Sequence, residues 1–162
     1  MRTLILSISG LFLLTPMACG GGSGLGSPKA AAETLVAAMT SGDGDKAVSV
    51  LPPQEALEAY FDCGGEGGVI ERIAKRRERM RKEAAGMKAE KVEMSVGAFD
   101  LEGSETKTYK IGEEFKGCKL KQDLEVHTAK LTLRVKEGDA APKDDGETWT
   151  FLKLGDSWFF TK

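Results

Sequence analysis

Few residues in this chain have the chemistry to build a site: three cysteines at Cys19, Cys63 and Cys118, one histidine at His127, and a dense basic run around Arg76 and Arg77. One imidazole is too few for a multi-histidine metal centre. Neither Cys63 nor Cys118 sits in a C-x-x-C, so a zinc site, and any other metal, is not expected. Gly64-Gly65-Glu66-Gly67-Gly68 could present amides to an anion at a helix start. It lacks the Lys-Ser/Thr that follows the glycines of a phosphate loop, and it follows a predicted helix, so it reads as a helix-helix connector. No cofactor is expected. The 162 residues, 41% apolar, are the composition of one globular domain, and 23 basic against 25 acidic side chains leave a net charge of -2. That balance removes the field that would draw the protein to nucleic acid, which is not expected as a partner.

The N-terminus reads as an address. Met1-Arg-Thr carries one positive charge and Leu4 to Leu14 carries none and is apolar, a signal-peptide core that at ~1.5 Å per residue spans about 16 Å, roughly half a hydrocarbon layer. Pro16-Met17-Ala18-Cys19 resembles the cleavage box of bacterial lipoproteins, in which a small residue precedes the cysteine that is lipidated; Ala18 and Cys19 match, Pro16 and Met17 do not. The resemblance implies a signal peptide over 1–18, lipid on Cys19, and, with Gly20 next, an outer-membrane lipoprotein facing the periplasm. The Gly/Ser-rich stretch over 19–27 reads as a flexible tether, and one α+β domain is expected over 28–162. With Cys19 lipidated, export places Cys63 and Cys118 in an oxidising compartment, where one disulfide between them is the economical reading. Closing a ~55-residue loop contributes about 4 kcal/mol in the chain-entropy model.

Within the domain, spacing predicts a helix over 28–41, capped by Ser27 and ended by Gly42, a short helix stopped by Pro52-Pro53, and a third over 54–61. A fourth, from about Val69 to Ala85, gathers Val69, Ile73, Met80, Ala84 and Met87 on one stripe. Arg72, Lys75, Arg79 and Lys82 lie opposite, as a solvated face. Arg76 and Arg77 fall at the stripe's edges, where their stems would be partly covered, and are the candidate binding residues. From Glu90 the period becomes alternating: a bulge near Gly97, a turn at Glu102-Gly103-Ser104, a second strand marked by Tyr109, Ile111 and Phe115, and a long strand over 119–135 whose phase flips near His127-Thr128. A polar hairpin loop over 138–146 and a turn at Gly155-Asp156 connect the last strands, which bring Trp149, Trp158, Phe159 and Phe160 to the core.

The opening Ser27-Pro-Lys-Ala-Ala-Ala-Glu-Thr-Leu-Val-Ala-Ala-Met-Thr-Ser-Gly-Asp43 and the closing Trp149-Thr-Phe-Leu-Lys-Leu-Gly-Asp-Ser-Trp-Phe-Phe160 resemble the nuclear transport factor 2-like superfamily, in particular its small bacterial lipoproteins. The resemblance implies an α+β fold, with N-terminal helices packed on a curled antiparallel sheet in a cone. Some members of that superfamily are isomerases, dehydratases or hydrolases with an aspartate or an Asp-His pair inside the cone; many others bind without chemistry. Here the catalytic candidates would be His127 with Asp123 or Glu125. Strand parity sets all three on the wet face, opposite Leu124 and Val126, so the expectation is an exposed histidine. Tyr60 and Tyr109 could serve an oxyanion but stand at core spacing. The leading expectation is therefore a lipid-anchored envelope protein that binds an envelope protein or a small apolar ligand. A small isomerase or hydrolase is the alternative and a structural envelope role the third.

Overall fold

A computed structural model describes residues 25–65 and 67–162, apart from the side chains of Leu101 and Glu102. The signal peptide expected over 1–18 and the lipidation expected at Cys19 fall outside the described residues. Over the described residues the chain is α+β, with four helices preceding most of a curled antiparallel sheet.

Local chemistry explains the helix ends. Helix α1 (Pro28–Ser41) starts where Ser27 Oγ accepts the Ala30 amide at 3.1 Å, and stops at Gly42, whose φ of 73° is the left-handed turn that glycine makes without strain. Helix α2 (Gly44–Ser49) is capped by Asp43, which accepts the Lys46 amide. Helix α3 (Gln54–Tyr60) ends one residue short of the expected boundary, because Phe61 and Asp62 turn extended and form β1 (Phe61–Asp62). Helix α4 (Val69–Ala89) buries Val69, Ile73, Met80 and Ala84 and exposes Arg72, Lys75, Arg79 and Lys82, as the stripe predicts. Among the described residues, no helix is long and apolar enough to cross a membrane.

The main sheet has the order β2-β5-β6-β7, from β2 (Val92–Tyr109), β5 (Leu124–Glu137), β6 (Lys143–Leu154) and β7 (Ser157–Phe160). A smaller sheet joins β1 to β4 (Cys118–Leu120) and β4 to β3 (Glu114–Phe115). The bulge near Gly97 is present as a register shift between Val96 and Phe99. Other expectations need correction. The chain does not turn at 102–104: β2 continues, and residues 101–104 bulge opposite Ala129, with Asp100 accepting the Gly103 amide. Tyr109, Ile111 and Phe115 do not share a strand, since Tyr109 ends β2, Ile111 is 66% exposed and Phe115 lies in β3. The long strand breaks at 121–123, where Asp123 accepts the Ile111 amide at 3.0 Å and folds the excursion back. The polar loop is only 138–142, and β6 takes up Lys143 onwards. Leu25 bridges to Trp158, so the folded body starts inside the expected tether.

The phase flip in β5 is present, yet its ladder with β6 runs unbroken from Glu125↔Lys153 to Val135↔Lys143. No bulge on β6 inverts the side chains; the cover changes sides instead. Directly paired residues share a face, so Ala129, Leu131, Leu133, Trp149, Phe151, Phe160 and His127 lie together on one face, and Val36 of α1 packs against it at Leu131 and Leu133. Leu124, Val126, Leu152, Leu154 and Phe159 lie on the other face. There the small sheet closes in, with Phe115 5.1 Å from the Tyr109 ring and 6.0 Å from Phe61. At Phe151 and Leu152 both faces are buried.

Candidate functional site

His127 is half-buried, not exposed, because it pairs with Phe151 at the point where the sheet is covered on both sides. Its Nδ1 is 2.8 Å from Thr106 Oγ1, its ring stacks on Phe99 and meets the edge of Trp158, and among the described residues its buried Nε2 has no hydrogen-bond partner. Burial disfavours the charged ring and holds the imidazole below its ordinary value, against a weaker upward pull from Glu125. Asp123 is exposed, as parity predicted, and is engaged elsewhere: Lys110 Nζ donates to it at 2.7 Å, and the pair with the Ile111 amide holds its carboxyl below the usual range. Glu125 pairs with Lys153 across the ladder. Among the described residues, no hydrogen bond joins His127 to either carboxylate. Tyr60 Oη accepts the Gly155 amide at 2.8 Å, and Tyr109 packs on Phe115, so both tyrosines have structural tasks.

Consecutive residues on a helix point ~100° apart, and Arg76 and Arg77 accordingly part company. Arg77 lines a cleft beside Cys63 and Gly68 and donates to the Pro52 carbonyl, while among the described residues its buried Nε has no partner. Arg76 lies over the Phe160 ring, 5.3 Å from its centroid, and lines a different cleft of about 310 Å³. Six cations surround that second cleft: Arg72, Lys75, Arg76 and Arg79 along one stripe of α4, Lys116 from the β3–β4 turn, and Lys162; Val69 and Ile73 supply apolar surface. Among the described residues, no acidic side chain is in its lining.

The positive charges are only partly answered. Lys75 is paired with Glu71, and Arg72 Nε donates to the Gly67 carbonyl at 2.7 Å, leaving its other N–H groups. Among the described residues, Arg76, Arg79, Lys116 and Lys162 make no ion pair. Burial, then the nearby Arg79, hold Arg76 below its ordinary value against the pull of Glu83. Lys116 is lowered by burial first and then by the positive charges of Arg72, Arg76 and Lys162. Its backbone is also unusual: Lys116 and Gly117 form a two-residue hairpin between Phe115 and Cys118 with φ of 48° and 81°. A hairpin of that kind favours Asn-Gly, because both central residues need positive φ. Lys91 shares the left-handed backbone, but just beyond the end of α4, where such a residue commonly terminates a helix. Lysine in the turn thus breaks a local rule at the spot where its ammonium joins the cleft.

Sequence reading names Arg76 and Arg77 as binding candidates and Arg72, Lys75 and Arg79 as a solvated face, and those three are exposed; it does not single out Lys116 or Lys162. The Lys-Gly hairpin was the available signal for Lys116. The glycine-rich loop follows the short β1 and not a helix, as had been expected. Its Gly67 amide donates to Glu71, so the chain's own carboxylate takes the place an external anion would need. Beside it, Cys63 and Cys118 form the expected disulfide, with Cα atoms 4.2 Å apart. Comparison with protein-family models, with curated proteins and with solved structures finds no match to this chain.

Proposed function

We propose that this is an exported, lipid-anchored envelope protein that acts by binding a negatively charged partner at the α4 cleft, and not by chemistry inside a cone. One observation carries the binding part: six cations converge on one cleft that, among the described residues, has no acidic side chain in its lining. Like charges brought together and partly desolvated cost stability unless something answers them, and such clusters mark functional surfaces. Trp149 and Phe151 both pack against Phe160 and Phe99 packs against Phe151, which weighs against an open apolar interior. Anchoring rests on the sequence alone, on the charge-free apolar run from Leu4 to Leu14, on Ala18-Cys19, and on the glycines that follow. The cone-shaped nuclear transport factor 2-like reading keeps the support of its element order, helices before a curled sheet.

Two measurements test the proposal. Mass analysis and fractionation of the expressed chain should find an acylated Cys19, and Cys19→Ala should leave the membrane fraction. The full chain should be retained on an immobilised polyanion in a salt-dependent way; Arg76→Ala with Arg79→Ala should elute early, and Lys29→Ala with Lys46→Ala should not. Equal elution of both pairs would contradict the cleft as the contact.

A further inference from the structure

We infer that the α4 cleft is a site for a compact ligand bearing two phosphate groups, an inference that rests on the binding role just proposed and names its ligand class. The size comes first. At about 310 Å³ the cleft is at the lower end of ligand pockets, room for a headgroup or a small phosphorylated compound and not for a folded partner's loop.

The cations then select the anion. Arg72, Arg76 and Arg79 follow one another at spacings of four and three on the same helix stripe, so their Cα atoms span about 10 Å along the axis. Guanidinium forks bind phosphate oxygens two at a time, and a row of three suits two phosphates in succession better than one. A single carboxylate, with one charge, would leave most of the cluster unanswered. Arg76 is further held by the Phe160 ring, which limits the rotamer freedom lost on binding.

The hairpin supplies the second, independent observation. Lys116 keeps a left-handed backbone that lysine adopts at a cost; its ammonium lies over the Phe115 ring near the positive charges of Arg72, Arg76 and Lys162, and among the described residues it makes no ion pair. A strained residue carrying an unanswered charge into a cleft points to something outside the chain that answers it.

The same chemistry could come from a soluble diphosphate or from a two-phosphate lipid headgroup, and the test separates them. Pyrophosphate and orthophosphate are titrated calorimetrically into the full chain in detergent, and the full chain is bound to phosphatidylcholine vesicles with and without cardiolipin. A preference of about tenfold for pyrophosphate over orthophosphate supports the site with a soluble ligand; cardiolipin-dependent vesicle binding supports it with a headgroup. In either case Arg76→Gln and Lys116→Asn should each weaken the interaction by about tenfold, the loss typical of one charge-assisted contact. Lys116→Asn keeps a residue suited to the turn, so its thermal midpoint should not fall and misfolding is separately excluded. Equal affinity for the two phosphates together with indifference to cardiolipin overturns the inference. If the Arg76 and Arg79 variants nevertheless still lose retention on the polyanion, the broader binding reading stands; if retention is also unchanged, both fall.

Discussion

The Val69 amide, at the first residue of α4, donates to Cys118 Sγ across 3.4 Å. The contact sits where three parts of the chain meet: the end of β1 through Cys63, the start of α4, and the β3–β4 hairpin through Cys118. Lys116 is two residues before Cys118 and Arg72 three after Val69, so this junction sets the position of the hairpin cation against the helix cations.

Losing the disulfide should therefore affect both stability and binding. Cys63→Ser and Cys118→Ser should lower the thermal midpoint by similar amounts, with about 4 kcal/mol as the chain-entropy ceiling, and each should weaken anion retention. Thermal melts with and without reductant check it; a midpoint that reduction leaves unchanged would contradict it.

Gly68 is needed at the same junction for space. A Cβ there would stand 2.7 Å from Cys118 Sγ and 3.1 Å from Cys63 Sγ, whereas nothing lies within 4 Å of one at Gly64 or Gly65. Gly68→Ala should destabilise by about 1 to 3 kcal/mol, as overpacking does, and Gly64→Ala should be close to neutral in denaturant unfolding.

Lys116→Asn should raise stability in the absence of ligand by about 1 kcal/mol, because asparagine accepts the left-handed backbone and the like charges lose a member. Chemical denaturation in a phosphate-free buffer reads the change. A lower stability would mean that the lysine has a structural partner.

His127 should make stability fall on mild acidification. Burial lowers its value in the folded chain, so below the ordinary value of 6.5 the unfolded chain binds the proton more readily. Its contribution is full above that point and is lost as pH falls through the lowered folded value. The carboxylates with lowered values, Glu71, Asp123 and Asp144, act in the same direction but at more acidic pH, below their ordinary values of 4.5 and 3.8. Between pH 7 and pH 5, His127→Gln should have a flatter stability profile than the unchanged chain; parallel profiles would refute the assignment.

The core prediction concerns Phe151, which is fully buried and touches Phe99, Trp149 and Phe160. Phe151→Ala should cost about 3 to 5 kcal/mol in equilibrium unfolding.

Helical features were legible because they are local. Ser27, Gly42 and the Val69, Ile73, Met80, Ala84 stripe act within a turn or two of the chain, and each does in three dimensions what its spacing implies. The two-state alternation of a strand is informative only while one face is wet. His127 was misplaced because at Phe151 and Leu152 the sheet is covered on both sides, and parity there no longer separates inside from outside. Gly103 looked like a turn because glycine permits one; the continued pairing of 105–109 with β5, a tertiary fact, made it a bulge. The cleft was hardest to read. Lys116, Lys162 and Arg76 are brought together by a hairpin, the chain beyond β7 and a helix; Arg76 leaves a local trace at the stripe's edge and Lys116 one before Gly117, but neither spacing says that they meet.

The most direct test of the cleft is amide chemical-shift mapping of the isotope-labelled full chain in detergent micelles during titration with pyrophosphate. Shifts should gather in the first turns of α4 over 69–79, in the 115–117 hairpin and at 160–162, and should disappear in Arg76→Gln. Shifts gathered instead around His127 and Trp158, or in the 135–145 hairpin, or none at all, would contradict it.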